Sequence, residues 1–177
     1  MSSIGDPWDR RADGGDRRVA GGMPVRERGA RAGARRAFFG GTPTQVAHIR
    51  TWCQQAMKLP ADHCDPVLLT VSELASNAVR HTASGGRFGR VEVGLEVLPG
   101  KVVLLSVTDD GPRVGRGVTL PHLPCRVDEF APGGRGLRLV DAVAEKWWWS
   151  GEPGRPLTVW ALIDPDRDAG STAGLRN

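Results

Sequence analysis

Three short groups of residues in this chain are of types and spacings that could do chemistry. In Glu73-Leu-Ala-Ser-Asn77-Ala-Val-Arg-His81, the polar residues Glu73, Asn77 and His81 recur every four positions and share one face of a helix. An asparagine there offers a neutral oxygen that can complete a Mg²⁺ shell, and a glutamate one turn earlier can accept a proton from a hydroxyl or a water. In Val107-Thr-Asp109-Asp110-Gly111, Asp109 ends a strand on the same face as Val103, Leu105 and Val107. A carboxylate there can accept a hydrogen bond inside a closed pocket. In Gly133-Gly134-Arg135-Gly136-Leu137, glycines allow close backbone approach, and the helix that follows offers free N–H groups to phosphate. Each group has a plainer reading when taken alone: a solvated helix face, an Asp-Asp-Gly turn and a glycine turn. The third is not a Walker A loop, since no Gly-Lys-Ser/Thr follows, and no strand precedes it as a dinucleotide fold requires.

Helical spacing starts at Thr44 and runs through Val46, Ile49, Trp52 or Cys53 and Ala56, stopping before Pro60. A second helix is predicted to start at Asp65-Pro66, an acidic cap with proline in the first helical position. Its stripe of Leu68, Val71, Leu74 or Ala75 and Ala78 or Val79 ends between His81 and Gly85. Residues 37–41 read as a short first strand or as the start of the fold. Val91, Val93, Leu95 and Val97 alternate as a half-buried strand should, Pro99-Gly100 turns the chain, and Lys101 to Asp109 returns antiparallel. That second strand is apolar on both faces through Leu105, which predicts a central place. A Gly- and Pro-rich loop spans 111–134, Gly136 to Val143 reads as a helix, and Lys146–Ser150 and Leu157–Ile163 read as closing strands around the turn 151–156. Helix, helix, strand, strand, loop, helix, strand, strand predicts an α+β two-layer sandwich: a mostly antiparallel, mixed sheet with helices on one face.

Taken in order, E-x-x-x-N on a helix, D-x-G ending a strand and G-x-G-L opening a helix resemble the N, G1 and G2 boxes of the GHKL (histidine-kinase-like, Bergerat-fold) ATPases. The resemblance covers about residues 40–163. Ser72-Glu73-Leu74, Asn77-Ala78-Val79-Arg80-His81 and the short chain look most like the anti-sigma-factor serine kinase branch. The resemblance implies ATP and Mg²⁺ as cofactors, with Asn77 holding the ion and Glu73 activating a serine or threonine hydroxyl of a partner. It implies that Asp109 accepts from the adenine amino group, that Gly111 lies beneath the base, and that Gly134, Gly136 and Leu137 meet the phosphates under a lid of residues 112–133. The implied partners are a small anti-sigma-factor antagonist and, in competition, a sigma factor, with Arg50 as a partner residue. Branch members also form homodimers. The chain departs from the pattern at Arg113, which stands where the G1 box carries a second glycine. The alternative activity is a binding module that uses nucleotide to shape a protein surface without transferring phosphate.

Composition bounds the partners. Residues 1–36 hold nine Arg against five Asp or Glu, with seven Gly and few large apolar residues (Ile4, Trp8, Val19, Met23, Val25). Such a tail cannot bury enough surface to offset its own ordering entropy, and it is expected to be disordered. The domain is expected over 37–165, with 166–177 frayed. The tail carries the whole net charge of +4, so the rest of the chain is neutral. No basic stripe interleaved with aromatics crosses that part, which argues against nucleic acid as its ligand. Three cysteines without C-x-x-C spacing, Cys53, Cys64 and Cys125, suit a reducing cytosol and fit neither a disulfide framework nor zinc. No apolar run is long enough to span a membrane, which places the chain in the cytoplasm. Trp147-Trp148-Trp149 puts Trp148 on the opposite strand face from its neighbours. Core packing accounts for one side, and burial in a dimer or beneath the N-terminal segment accounts for the other.

Overall fold

The computed structural model describes residues 33–118, 120–123 and 135–167. Five strands form one sheet in the order β1-β2-β3-β5-β4: β1 Ala34–Gly40, β2 Arg90–Val97, β3 Val103–Thr108, β4 Lys146–Ser150 and β5 Thr158–Ile163. All four pairings are antiparallel, with Val93 opposite Val107 and Val107 opposite Val159. The sandwich expected from the sequence is therefore present, and no parallel pair occurs among the described strands. β3 is central, as its two-sided apolar pattern requires.

Three helices, α1 Gln45–Met57, α2 Ala61–His81 and α3 Arg135–Val143, accompany the sheet. One face of the sheet (Ala37, Phe39, Val91, Val93, Leu95, Val103, Leu105, Val107, Ala161, Ile163) joins Ile49, Cys53, Val67, Val71, Leu74 and Ala75 in one buried core. α1 lies against β1 and β2, while α2 crosses β3 and β5 and carries α3 on its flank.

β3 is shorter than read from sequence, ending at Thr108 so that Asp109 follows the strand. α3, β5 and the end of β1 shift by one residue, and two further boundaries differ for clear physical reasons. β1 starts at Ala34, so residues 34–36 belong to the sheet and not to the tail. The alternation that buries Ala37 and Phe39 turns Arg36 outward, where its Nη1 meets Glu92 Oε1 at 3.1 Å. α2 starts at Ala61, leaving Pro66 inside the helix instead of at its first position. Cys64, fully buried, extends the apolar stripe one turn toward the N-terminus and draws that turn into the helix. Burial also pushes the Cys53 thiol up to about 12.

The Trp147–Trp149 run splits as alternation demands. Trp147 packs on the core and donates from Nε1 to Asp141 Oδ1 at 3.0 Å. Trp148 lies on the other side, stacked on Trp160 with ring centroids 6.1 Å apart.

His63 fastens the far end of the domain. Its Nδ1 lies 3.0 Å from Asp62 and its Nε2 2.6 Å from Asp166, whose other oxygen is 3.6 Å from Lys101 Nζ. The hydrogen bond to Asp62 raises the imidazole pKa; burial opposes this, and Asp166 adds to it. A raised native value means that protonated His63 stabilises the fold in full below the ordinary histidine value of 6.5, and that this contribution disappears as pH rises through the native value. Thermal melts of the wild type and of His63→Gln should therefore differ most in mild acid and converge on the alkaline side. A gap that widened with pH would contradict this reading.

Candidate active site

The C-terminal end of α2 is stitched to the segment that follows β3. Ala83 N donates to Gly111 O at 2.7 Å, and Thr82 bridges Pro112. Arg113 Nε donates to Thr82 O and its Nη2 to Val79 O, both at 2.8 Å. A helix ends on carbonyls without partners and a partial negative charge, so a guanidinium there satisfies both. This is what the chain gains where a second glycine was expected. Next to it, Asp110 N donates to Ser84 Oγ at 2.9 Å, and Arg90 N donates to Asp110 Oδ2 at 2.6 Å.

The stitch sets α2 beside the end of β3 and opens a cleft of about 220 Å³ between them. Asn77 and His81 line one side, and Asp109, Gly111 and Leu157 line another. Gly136 and Leu137 of α3 close one end, while Pro112, Val118, Leu120 and Pro121 cover the rim. Asp109 is held by the hairpin that joins β4 to β5. Its Oδ1 accepts from Gly111 N at 2.5 Å and from Leu157 N at 3.3 Å, and its backbone N donates to Leu157 O at 3.0 Å. Oδ2 has no hydrogen-bond partner among the described residues. Burial raises the Asp109 pKa, and the two backbone N–H bonds partly offset it. Gly111 takes a φ of +83°, which a side chain would strain, and a Cβ there would lie 3.1 Å from the backbone of Arg155 and Pro156.

Glu73 and Asn77 meet α3 at its first turn. A Cβ on Gly136 would stand 2.6 Å from Glu73 Oε2 and 3.4 Å from Asn77 Nδ2, so only glycine leaves both polar ends where they are. Glu73 sits just outside the cleft lining and reaches it through this contact. Of the residues named from sequence, Glu73, Asn77, Asp109, Gly111, Gly136 and Leu137 come together here. Gly134 lies outside the described residues. Arg50 is elsewhere, tied to α2 by bonds from Nη1 to Ser72 Oγ at 2.8 Å and to Leu68 O at 3.3 Å. Sequence reasoning missed Leu157 and Arg155, which act through backbone atoms that no residue type reveals. It noticed Arg113 only as an interruption.

A half-buried carboxylate with one oxygen unpaired among the described residues thus shares an apolar cleft with an amide on a helix, and a glutamate lies just outside it. A family model described as "Histidine kinase-like ATPase domain" matches residues 39–159. The chain belongs to that family and is an ATP-binding domain of GHKL type. No curated protein matches it. Among solved structures, the histidine kinase domain of the blue-light activated histidine kinase from Erythrobacter litoralis EL346 is similar at 21% identity, over 77% of this chain and 70% of that one, with a TM-score of 0.38. No described helix is long and apolar enough to cross a membrane.

Asp109→Asn separates binding from stability. The amide oxygen can still accept from Gly111 and Leu157, but an NH₂ replaces the acceptor oxygen that Asp109 holds open to the cleft. Loss of one charge-assisted bond, about 1.5–3 kcal/mol, weakens ATP binding by roughly 10- to 100-fold in calorimetric titration. The raised pKa means that the charged form costs stability above it, so Asp109→Asn should melt at the same temperature as wild type or higher near neutral pH. A sharp fall in melting temperature would mean that the carboxylate is structural. Arg113→Met keeps the apolar stem but takes this donor from Val79 O and leaves Thr82 O with only the 3.4 Å bond from Gly85 N. It should cost about 1–2 kcal/mol in urea unfolding, because water recovers part of those bonds.

Proposed function

We propose that this chain is an ATP- and Mg²⁺-dependent protein serine/threonine kinase of anti-sigma-factor type. In this reading it phosphorylates a small antagonist protein and regulates transcription by partner switching, with a sigma factor as the competing partner. The observation that carries the proposal is the convergence of Glu73 and Asn77 on Gly136, where a phosphate chain running from a base at Asp109 would emerge.

Glu73 would accept the proton of the attacking hydroxyl. The hydroxyl oxygen forms a bond to the γ-phosphorus, the bond from that phosphorus to the β–γ bridging oxygen breaks, and ADP leaves with the electron pair. Asn77 Oδ1 fits a divalent ion as one neutral oxygen ligand. No cluster of three or more His, Cys, Asp or Glu able to hold a metal occurs among the described residues, so the remaining ligands would be phosphate oxygens and water. When bound, the ion supplies charge neutralisation across the phosphates. Gly134 is assigned to the same phosphate-binding turn as Gly136. Arg50 faces a groove with Leu69, Asp62, Asp65 and Val143 that a protein partner could use. Cys53 and Cys64 are free and buried, in keeping with a cytoplasmic protein. The second reading, a nucleotide-dependent binding module, is favoured by Val118, which lines the cleft and is exposed.

Single-turnover transfer from labelled ATP to a co-purified antagonist decides between the two. Glu73→Gln should retain ATP binding and lose transfer by about 100-fold or more. Gly136→Ala places a methyl where Glu73 now reaches. Because Ala favours helix by about 1 kcal/mol over Gly, it should keep its melting temperature yet slow transfer by roughly 10- to 100-fold. If neither variant changes transfer, or if no protein is ever phosphorylated, the binding module stands.

A further inference from the structure

The cleft holds a polar side chain that the proposed chemistry leaves without a role. His81 closes the run of Glu73, Asn77 and His81 along one face of α2, lines the cleft beside Asn77 and is exposed at its mouth. Its imidazole has no hydrogen bond, ion pair or ring contact among the described residues. Other polar groups on the same walls are engaged. Thr82 Oγ1 donates to Ala78 O at 2.6 Å and accepts from Ser84 N at 3.2 Å. His122 Nδ1 lies 2.9 Å from Leu120 O, within its own loop. The Arg155 side chain also has no bond among the described residues, but it stands on the hairpin behind Gly111, where a Cβ would lie 3.1 Å from the Arg155 carbonyl carbon.

We infer that His81 is a specificity residue that reads the ribose hydroxyls of the bound nucleotide, so that the cleft selects ribonucleotides over analogues lacking them. This rests on the reading above, which puts the base at Asp109 and the phosphates at Gly136. α2 then serves as a ruler. A rise of about 1.5 Å per residue sets Asn77 about 6 Å and His81 about 12 Å beyond Glu73 along the axis. Gly136 meets Glu73 and Asn77, which gives that stretch to the phosphates. The bond from Ala83 N to Gly111 O ties the other end of the helix to the base side. His81 lies between the two, one turn past Asn77 and one residue before Thr82. In a nucleotide, the part between phosphates and base is the sugar. The chemistry agrees with the position. A neutral imidazole presents one N–H donor and one bare nitrogen acceptor, and a pair of neighbouring hydroxyls answers both. A phosphate oxygen would answer only the donor.

Calorimetric titration of the full chain with ATP and with 2′,3′-dideoxy-ATP, in wild type and in His81→Ala, tests this. The four affinities form a cycle in which intrinsic differences between the two ligands cancel. Wild type should bind ATP roughly 3- to 10-fold more tightly than the dideoxy analogue, the effect of one neutral hydrogen bond. His81→Ala should lose that preference by weakening ATP alone, with the affinity for dideoxy-ATP and the melting temperature unchanged. His81→Gln keeps a donor and an acceptor and should restore part of the preference, whereas His81→Phe keeps only a ring and should not. The inference is overturned if wild type binds both ligands equally, if the preference survives in His81→Ala, or if Arg155→Ala abolishes it instead. It is equally overturned if His81→Phe restores ATP affinity, since the ring would then be stacking on the base. Should wild type bind neither ligand, the placement of a nucleotide in this cleft falls and the inference falls with it. ATP binding without a sugar preference sinks the inference alone.

Discussion

The junction between the last turn of α2 and the segment after β3 is the constraint on which the cleft depends. Asn77 lies just over one turn before Thr82, and Asp109 two residues before Gly111, so the bonds from Ala83 to Gly111 and from Arg113 to Val79 and Thr82 set the distance between the two sides. Without them, helix and strand would be joined there by the bond from Asp110 N to Ser84 Oγ and by apolar packing, which is insensitive to small sliding. Directional bonds to a charged group remove that freedom. Arg113 suits the task because its fork reaches two carbonyls at once, a geometry that a lysine cannot reproduce.

The same junction explains how a carboxylate is kept in an apolar cleft. Burial opposes the charge on Asp109, while two backbone N–H groups support it through one oxygen only. The fold thereby fixes the side chain without exhausting its capacity to accept. One of those N–H groups comes from Leu157, on the far side of the β4–β5 hairpin. The turn from Gly151 to Pro156 therefore positions the binding group as well as closing the sheet.

The two faces of the sheet follow different rules. The helix side is packed by residues whose spacing announces it, from Ile49 to Ala78. The opposite side mixes Glu92, Thr108 and Thr158 with the Trp148–Trp160 stack, half polar and half apolar.

Local pattern determined much of this protein. The alternation of Val91 to Val97, the two-sided apolar run of β3, the stripes of α1 and α2, and the order of Glu73–Asn77, Asp109 and Gly136 were all legible, because side-chain period and turn chemistry are properties of neighbouring residues. The first residues of β1 and α2 were not, because Arg36 is held by Glu92 on another strand and Cys64 is drawn in by the core. The use made of Arg113, the backbone grip of Leu157 on Asp109 and the closeness of Gly136 to Glu73 were decided only by the tertiary structure. Each is a contact between residues 31 to 63 positions apart in the chain, and such distances are fixed by packing, which no window of sequence contains.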